Sequence, residues 1–118
     1  MKLKYKVYAH SGTFGGRSFV VQAHIQLNDG EASVRSAHSV YESIVVGEKF
    51  ADIKGVSALG SIHLGDLLGQ PKEYKFPTIQ MAGDFVDLLQ VGIHKVKGQI
   101  EATRVQMENL NKEFEVEI

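Results

Sequence analysis

The chain has no cysteine among its 118 residues. That excludes disulfide staples, thiolate nucleophiles and zinc sites built on sulfur. It has no tryptophan and only two prolines, Pro71 and Pro77. No charge of one sign dominates: 13 Lys and Arg stand against 14 Asp and Glu, a formal net charge of −1. Such a balance gives no bulk attraction to nucleic acid or to an anionic membrane surface, and neither is expected as a partner. Long apolar runs are missing as well. No stretch approaches the roughly 20 residues of a membrane span. The opening Met1-Lys2-Leu3-Lys4 lacks the apolar segment of about 7 to 15 residues that a secretion signal carries. The expectation is a soluble cytoplasmic protein forming a single domain over 1–118.

Hydrophobic residues make up 43% of the chain, enough for one modest core. Residues 2–10 alternate, with Leu3, Tyr5, Val7 and Ala9 on one side and Lys2, Lys4, Lys6, Tyr8 and His10 on the other. Residues 18–28 alternate again, with Phe19, Val21, Ala23, Ile25 and Leu27 inward. Both stretches read as half-buried strands. Matching their apolar faces pairs Ala9 with Phe19 and Val7 with Val21, and sets Lys4 beside His24. Asn28-Asp29-Gly30 reads as a turn into a third strand over 31–38, which would put Arg35 beside His24.

The middle of the chain supports two assignments. Ser39-Val40-Tyr41-Glu42 has the form of a capping box, and helical spacing runs through Ile44 and Val45 to a stop at Gly47. Ile44-Val45-Val46 is equally a strand core. One or two strands are expected over 50–68. Residues 1–70 are thus mainly β, and 71–77, bracketed by the prolines, read as a linker.

From Thr78 to 112 the chain reads as one long helix. Ala82, Val86, Leu89, Ile93, Val96, Ile100, Thr103, Met107 and Leu110 recur at alternating intervals of four and three, the 3.5-residue period of a helix that keeps one seam against a partner. Such a helix would be about 52 Å long, whereas a compact chain of this size has a radius of gyration of only about 13 to 14 Å. It therefore projects to a partner, or breaks at Gly92 or Gly98. The proximal half is expected on the sheet. Val86, Leu89, Ile93, Val96, Ile100, Met107 and Leu110 are the expected contacts of a homo-oligomer, dimer or higher. Residues 113–118 alternate Glu113, Glu115 and Glu117 with Phe114, Val116 and Ile118. They read as a terminal strand whose acids answer the lysines of the first strand, in the same or a neighbouring subunit. The fold class is α+β: an antiparallel sheet of four to five strands, a long C-terminal helix and a short closing strand.

Candidate sites are few. Lys4, His24 and Arg35 would form a row of cations for a phosphate or carboxylate, and Tyr8 nearby could stack on a base. Arg17, in the glycine-rich connection 11–17, and Arg104, on the helix, could hold an anionic ligand between subunits. That connection matches no phosphate-loop pattern, so it reads better as a partner contact through Phe14 and Arg17. The five histidines have no pair at i,i+2 or i,i+4, and no metal or cofactor is expected. Serines are plentiful but none sits in a nucleophile motif, and His63 with Asp66 or Asp52 with Glu48 are ordinary loop contents. A binding protein therefore ranks ahead of an enzyme. The first reading is a small oligomer that recognises another protein, as an inhibitor, immunity protein or adaptor does. The second is a binder of an anionic small ligand or nucleotide at a subunit interface. The third is an enzyme with an interface site using His63 or His24.

Overall fold

A computed structural model describes residues 1–12, 16–38, 42–110, 115 and 117, with only the backbone at 37 and 38. The class is α+β. Two long strands, β1 (Lys2–Ser11) and β2 (Arg17–Gln26), lead into helix α1 (Asp29–His38). A short strand β3 (Ser43–Val45), a 3₁₀ turn (Glu48–Phe50), β4 (Ser61–His63) and a single-turn helix α2 (Leu64–Leu67) follow. Strand β5 (Lys72–Phe76) then precedes helix α3 (Ile79–Leu110). The strands do not form one sheet of four or five. Three of them make an antiparallel sheet in the order β1-β2-β5, and β3 pairs with β4 in a separate two-stranded sheet.

The register of the first hairpin follows from its apolar faces. Leu3 pairs with Ile25, Lys4 with His24, Tyr5 with Ala23, Val7 with Val21 and Ala9 with Phe19. A one-residue slip would turn the apolar side chains of one strand onto the polar face of the other.

The expected third strand over 31–38 is a helix. The Asn28 side-chain oxygen accepts from the Glu31 backbone N–H at 2.8 Å, and the Glu31 carboxylate accepts from the Asn28 N–H at 3.1 Å. This reciprocal cap satisfies two donors that a helix start leaves bare. Asn28-Asp29-Gly30-Glu31 is thus a helix start, not a hairpin turn. The competing helix of the middle segment does not form where it can be followed, because Ser43–Val45 is strand; its proposed cap, Ser39 to Tyr41, lies outside the described residues. Gly47 ends no helix. Its N–H and that of Val46 both donate to the Gly60 carbonyl, at 3.0 and 2.9 Å. Gly60 itself has φ +75° and sits against the Gly47 carbonyl, where a side chain has no room.

The stretch bracketed by Pro71 and Pro77 is not a linker but carries β5, paired with β2 from Phe19↔Phe76 to Ala23↔Lys72. Proline at each end fits an edge strand, since it donates nothing to a ladder. Tyr74 and Phe76 point inward and meet Phe85 with ring centroids 5.0 and 4.9 Å apart, while Phe50 stands edge-on to Phe76 and Phe85. This aromatic cluster anchors the core.

Helix α3 starts where the sequence places it. Thr78 caps it, its hydroxyl accepting from the Met81 N–H at 3.2 Å. It runs unbroken through Gly92 and Gly98. Gly92 serves close packing: a Cβ there would stand 2.5 Å from Ile44 of β3. Ala82, Phe85, Val86, Leu89, Ile93, Val96 and Ile100 are buried in the chain's own core. Beyond Ile100 the helix continues for ten residues with none of them buried. The radius of gyration, 18.3 Å, exceeds the compact value of about 13.5 Å, as a helix overrunning its sheet requires. Among the described residues no helix is long and apolar enough to cross a membrane. The expected terminal strand lies outside the described residues, except Glu115 and Glu117, which are exposed.

Candidate interaction surface

The outer face of the three-stranded sheet carries Lys2, Lys4, Lys6, Tyr8 and His10 from β1, Gln22 and His24 from β2, and Glu73 and Lys75 from β5. Among the described residues that is four lysines against one carboxylate, in a chain whose net charge is −1. The one acid is engaged: the Tyr8 hydroxyl donates to Glu73 at 3.0 Å across the central strand. That hydrogen bond, some loss of hydration and the carboxylate's charge together push the Tyr8 phenol up from its ordinary value. Tyr8 and Lys75 flank Val20 in register, and Val20 is buried although it points away from the main core. Lys6 lies 5.6 Å from the Tyr8 ring, within cation–π range. Lys4, Lys6, Gln22, His24 and Pro71 line an open hollow of about 290 Å³.

Among the described residues, no strand pairs with the outer edge of β1 beside this face. Gly12 donates to Gly16 across the hairpin end at 2.6 Å. In an antiparallel ladder such pairs alternate with pairs whose backbone groups point away. Counting back along the register, Leu3, Tyr5, Val7 and Ala9 direct their N–H and C=O groups to the free edge. Their side chains form the inner face of β1, and α3 covers little of it. Tyr5 is 47% and Val7 40% exposed, while their partners Ala23 and Val21 are wholly buried. A long edge strand with an uncovered apolar face is a site for pairing with another chain.

Of the expected anion ligands, the structure brings only Lys4 and His24 together. Arg35 is on α1, bound through Nε to the buried Glu42 carboxylate at 3.2 Å, so the expected three-cation row does not form. Arg17 opens β2 opposite Ser11, seven residues or about 23 Å of strand from His24. Arg104 is held by Glu101 and Glu108 on its own helix. Phe14 lies outside the described residues. Of the expected oligomer contacts, Val86, Leu89, Ile93, Val96 and Ile100 face the chain's own core, Met107 is half-buried and Leu110 is 83% exposed. A helix lying over a sheet needs the same stripe as a helix paired with a helix, and here the sheet takes most of it.

The sequence reading passed over Lys75 and Glu73, since both depend on recognising β5. Lys6, which the alternation does place on the same face as Lys4, was not counted among the candidate anion ligands. Among the described residues no group of three or more His, Asp or Glu side chains is placed to hold a metal ion. No protein-family model, curated protein or solved structure matches this chain.

Proposed function

We propose that this chain is a small binding protein that recognises another protein. It takes an extended segment with alternating acidic and apolar residues onto the free edge of β1. One observation carries the reading: a ten-residue edge strand combines a lysine row on one face with uncovered Tyr5 and Val7 on the other. Outward backbone groups supply affinity to an added strand, and the alternating side chains select its sequence. An incoming acidic residue meets Lys2, Lys4 or Lys6, and its apolar neighbour covers Tyr5 or Val7. The chain would act in this way as an inhibitor or adaptor does, in the cytoplasm, where a protein without cysteine needs no oxidising environment.

A direct test uses synthetic peptides of alternating Glu and Val, with a block-ordered peptide of the same composition as control. Val7→Pro removes one outward N–H and leaves the bonds to β2 in place. The alternating peptide should bind the parent chain and shift the amide signals of Leu3 to Ala9. Binding should weaken with salt and be lost in Val7→Pro. Equal binding of the block peptide, or binding indifferent to Val7→Pro, would remove the edge as the site.

The hollow at Lys4, Lys6 and His24 favours a second reading, an anionic small ligand on the open sheet face. Inorganic phosphate or a nucleotide raising the melting temperature of the parent, but not of Lys4→Ala with His24→Ala, would support it.

A further inference from the structure

The strand that best fits the β1 edge is part of this sequence. Residues 113–118 alternate acids with Phe114, Val116 and Ile118, and β1 alternates Lys2, Lys4 and Lys6 with Leu3, Tyr5 and Val7. Laid parallel with Glu113 beside Lys2, every acid falls beside a lysine and every apolar residue beside an apolar one. Val116 and Ile118 then come to rest beside the exposed Tyr5 and Val7. Shifting the segment by one residue would place acids on the apolar face, so the register is selective.

A chain cannot place these residues on its own β1 in that register. The Met1 ammonium lies 2.6 Å from Glu31, and Glu31 lines one hollow with Lys97, Ile100 and Arg104. The start of β1 is therefore level with the Ile100 turn of α3. From there α3 continues ten residues to Leu110, about 15 Å farther out. Only residues 111 and 112 separate Leu110 from Glu113, and three Cα steps span at most about 11 Å. They would have to cover the return, reverse the chain and step down from the helix layer to the sheet.

A second copy removes the difficulty. When the final ten residues of two α3 helices lie side by side and antiparallel, Leu110 of each is level with Ile100 of the other. Each helix then points along the other copy's β1, with its residue 113 arriving near the other copy's Lys2. The helix surfaces brought together carry the half-buried Met107 and Leu110, 83% exposed, the end of the heptad stripe beyond its last buried position, Ile100.

We infer that two copies of this chain exchange residues 113–118, each copy's acidic terminal segment pairing in parallel with the other's β1. The inference rests on the reading of the β1 edge as a strand-binding site. It adds that the site is filled by the chain's own segment until a protein partner displaces it.

The absence of cysteine makes a clean test possible. Lys4→Cys and Glu115→Cys change two exposed positions, one on each side of the pairing. An equimolar mixture of the two single variants should form a disulfide-linked species of twice 13.0 kDa under mild oxidation. Unlinked parent protein should show the same doubled mass by light scattering. Reversing the charge of Glu113, Glu115 and Glu117 to Lys should return it to 13.0 kDa, and adding Lys2→Glu, Lys4→Glu and Lys6→Glu should restore the dimer. Two results would overturn exchange: a monomeric parent with no cross-link in the mixture, or a link formed only within one chain carrying both cysteines. The alternating Glu-Val peptide separates this from the edge reading. If it binds a monomeric parent, the edge reading stands and exchange fails; if it fails to bind the charge-reversed monomer, whose edge no exchanged segment occupies, the edge reading fails.

Discussion

Val7 and Val21 face each other across the β1–β2 ladder and come from stretches with the same alternating pattern, yet Val21 is wholly buried and Val7 is 40% exposed. The difference is what lies above them. Helix α3 and the aromatic cluster of Tyr74, Phe76 and Phe85 close over β2 and β5, whereas β1 extends beyond that roof. The outer third of α3 repeats the contrast. Its stripe continues through Met107 to Leu110 after the sheet it covers has ended. Alternation or heptad spacing identifies an apolar face. Whether the same chain has anything to put on that face depends on how far the neighbouring element reaches.

The largest test of this contrast compares Val21→Ala with Val7→Ala under conditions where the chain is monomeric. Removing two buried methyl-sized groups at Val21, with the cavity left behind, should cost about 2 to 3 kcal/mol. At Val7 the loss should stay below about 1 kcal/mol, because water already reaches the side chain. Urea midpoints at unchanged m-value report both. A Val7 cost equal to that of Val21 would mean that β1 is covered in solution by the chain itself, and the open half would cease to exist.

How much of this was legible in the sequence follows from the range of the interactions involved. The β1–β2 register was readable because both strands alternate over many residues and only one offset matches their faces. The start of α3 at Thr78 was readable from a local cap. The strand over 31–38 was misread because Asn28-Asp29-Gly30 satisfies the chemistry of a turn; only Glu31, one residue on, marks it as a cap. β5 was missed because two prolines frame a segment with just two inward residues, Tyr74 and Phe76, and a short edge strand is decided by what packs on it. The same limit left the seam with two readings: its proximal half was expected on the sheet, yet Val86 to Ile100 were also named as oligomer contacts, since spacing alone does not distinguish a sheet from a second helix as its cover. At the candidate surface, Lys4 and His24 were found through the register, while Arg35 was lost with the strand that was to carry it.

The two halves of α3 offer a sharper comparison with a smaller effect. Both Gly92 and Gly98 lie inside the helix, where glycine costs about 1 kcal/mol relative to alanine. A methyl at Gly92 meets Ile44 at 2.5 Å, while at Gly98 nothing lies within 4 Å. Gly98→Ala should therefore stabilise the chain by about 0.5 to 1 kcal/mol. Gly92→Ala should destabilise it by about 1 to 2 kcal/mol, the overpacking outweighing the gain in propensity. Thermal unfolding of the two variants should give shifts of opposite sign. Shifts of the same sign would place β3 and the outer helix in equivalent surroundings.

Within the closed half, Tyr74 is fully buried and its hydroxyl has no hydrogen-bond partner among the described residues. Burial, and to a lesser degree the charge of Asp66, pushes its phenol well above the ordinary value. Tyr74→Phe keeps the ring against Phe85 and deletes the unpaired group, so stability should hold or rise by up to about 1 kcal/mol. A loss instead would show that the hydroxyl is bonded in solution, and that the closed half is more open to water than its packing implies.

The smallest expected effect lies where the open strand is tied to the closed half. Burial raises the affinity of Glu31 for its proton. The hydrogen bond from the Met1 ammonium, the one from the Asn28 N–H, and the charges of Met1 and Lys97 outweigh burial, and its carboxyl sits below the usual glutamate range. A folded-state pKa below the unfolded one means that the unfolded chain takes up the proton first. The contribution is therefore complete above the unfolded value of about 4.3 and disappears as pH falls through it toward the folded value. Parent and Glu31→Gln should differ by less than about 1 kcal/mol at neutral pH, given the partly solvated setting. The two unfolding free energies should converge by about pH 3. A gap unchanged with pH would assign the role of Glu31 to cap geometry alone, and the ion pair would then contribute nothing to holding the start of β1 against α1.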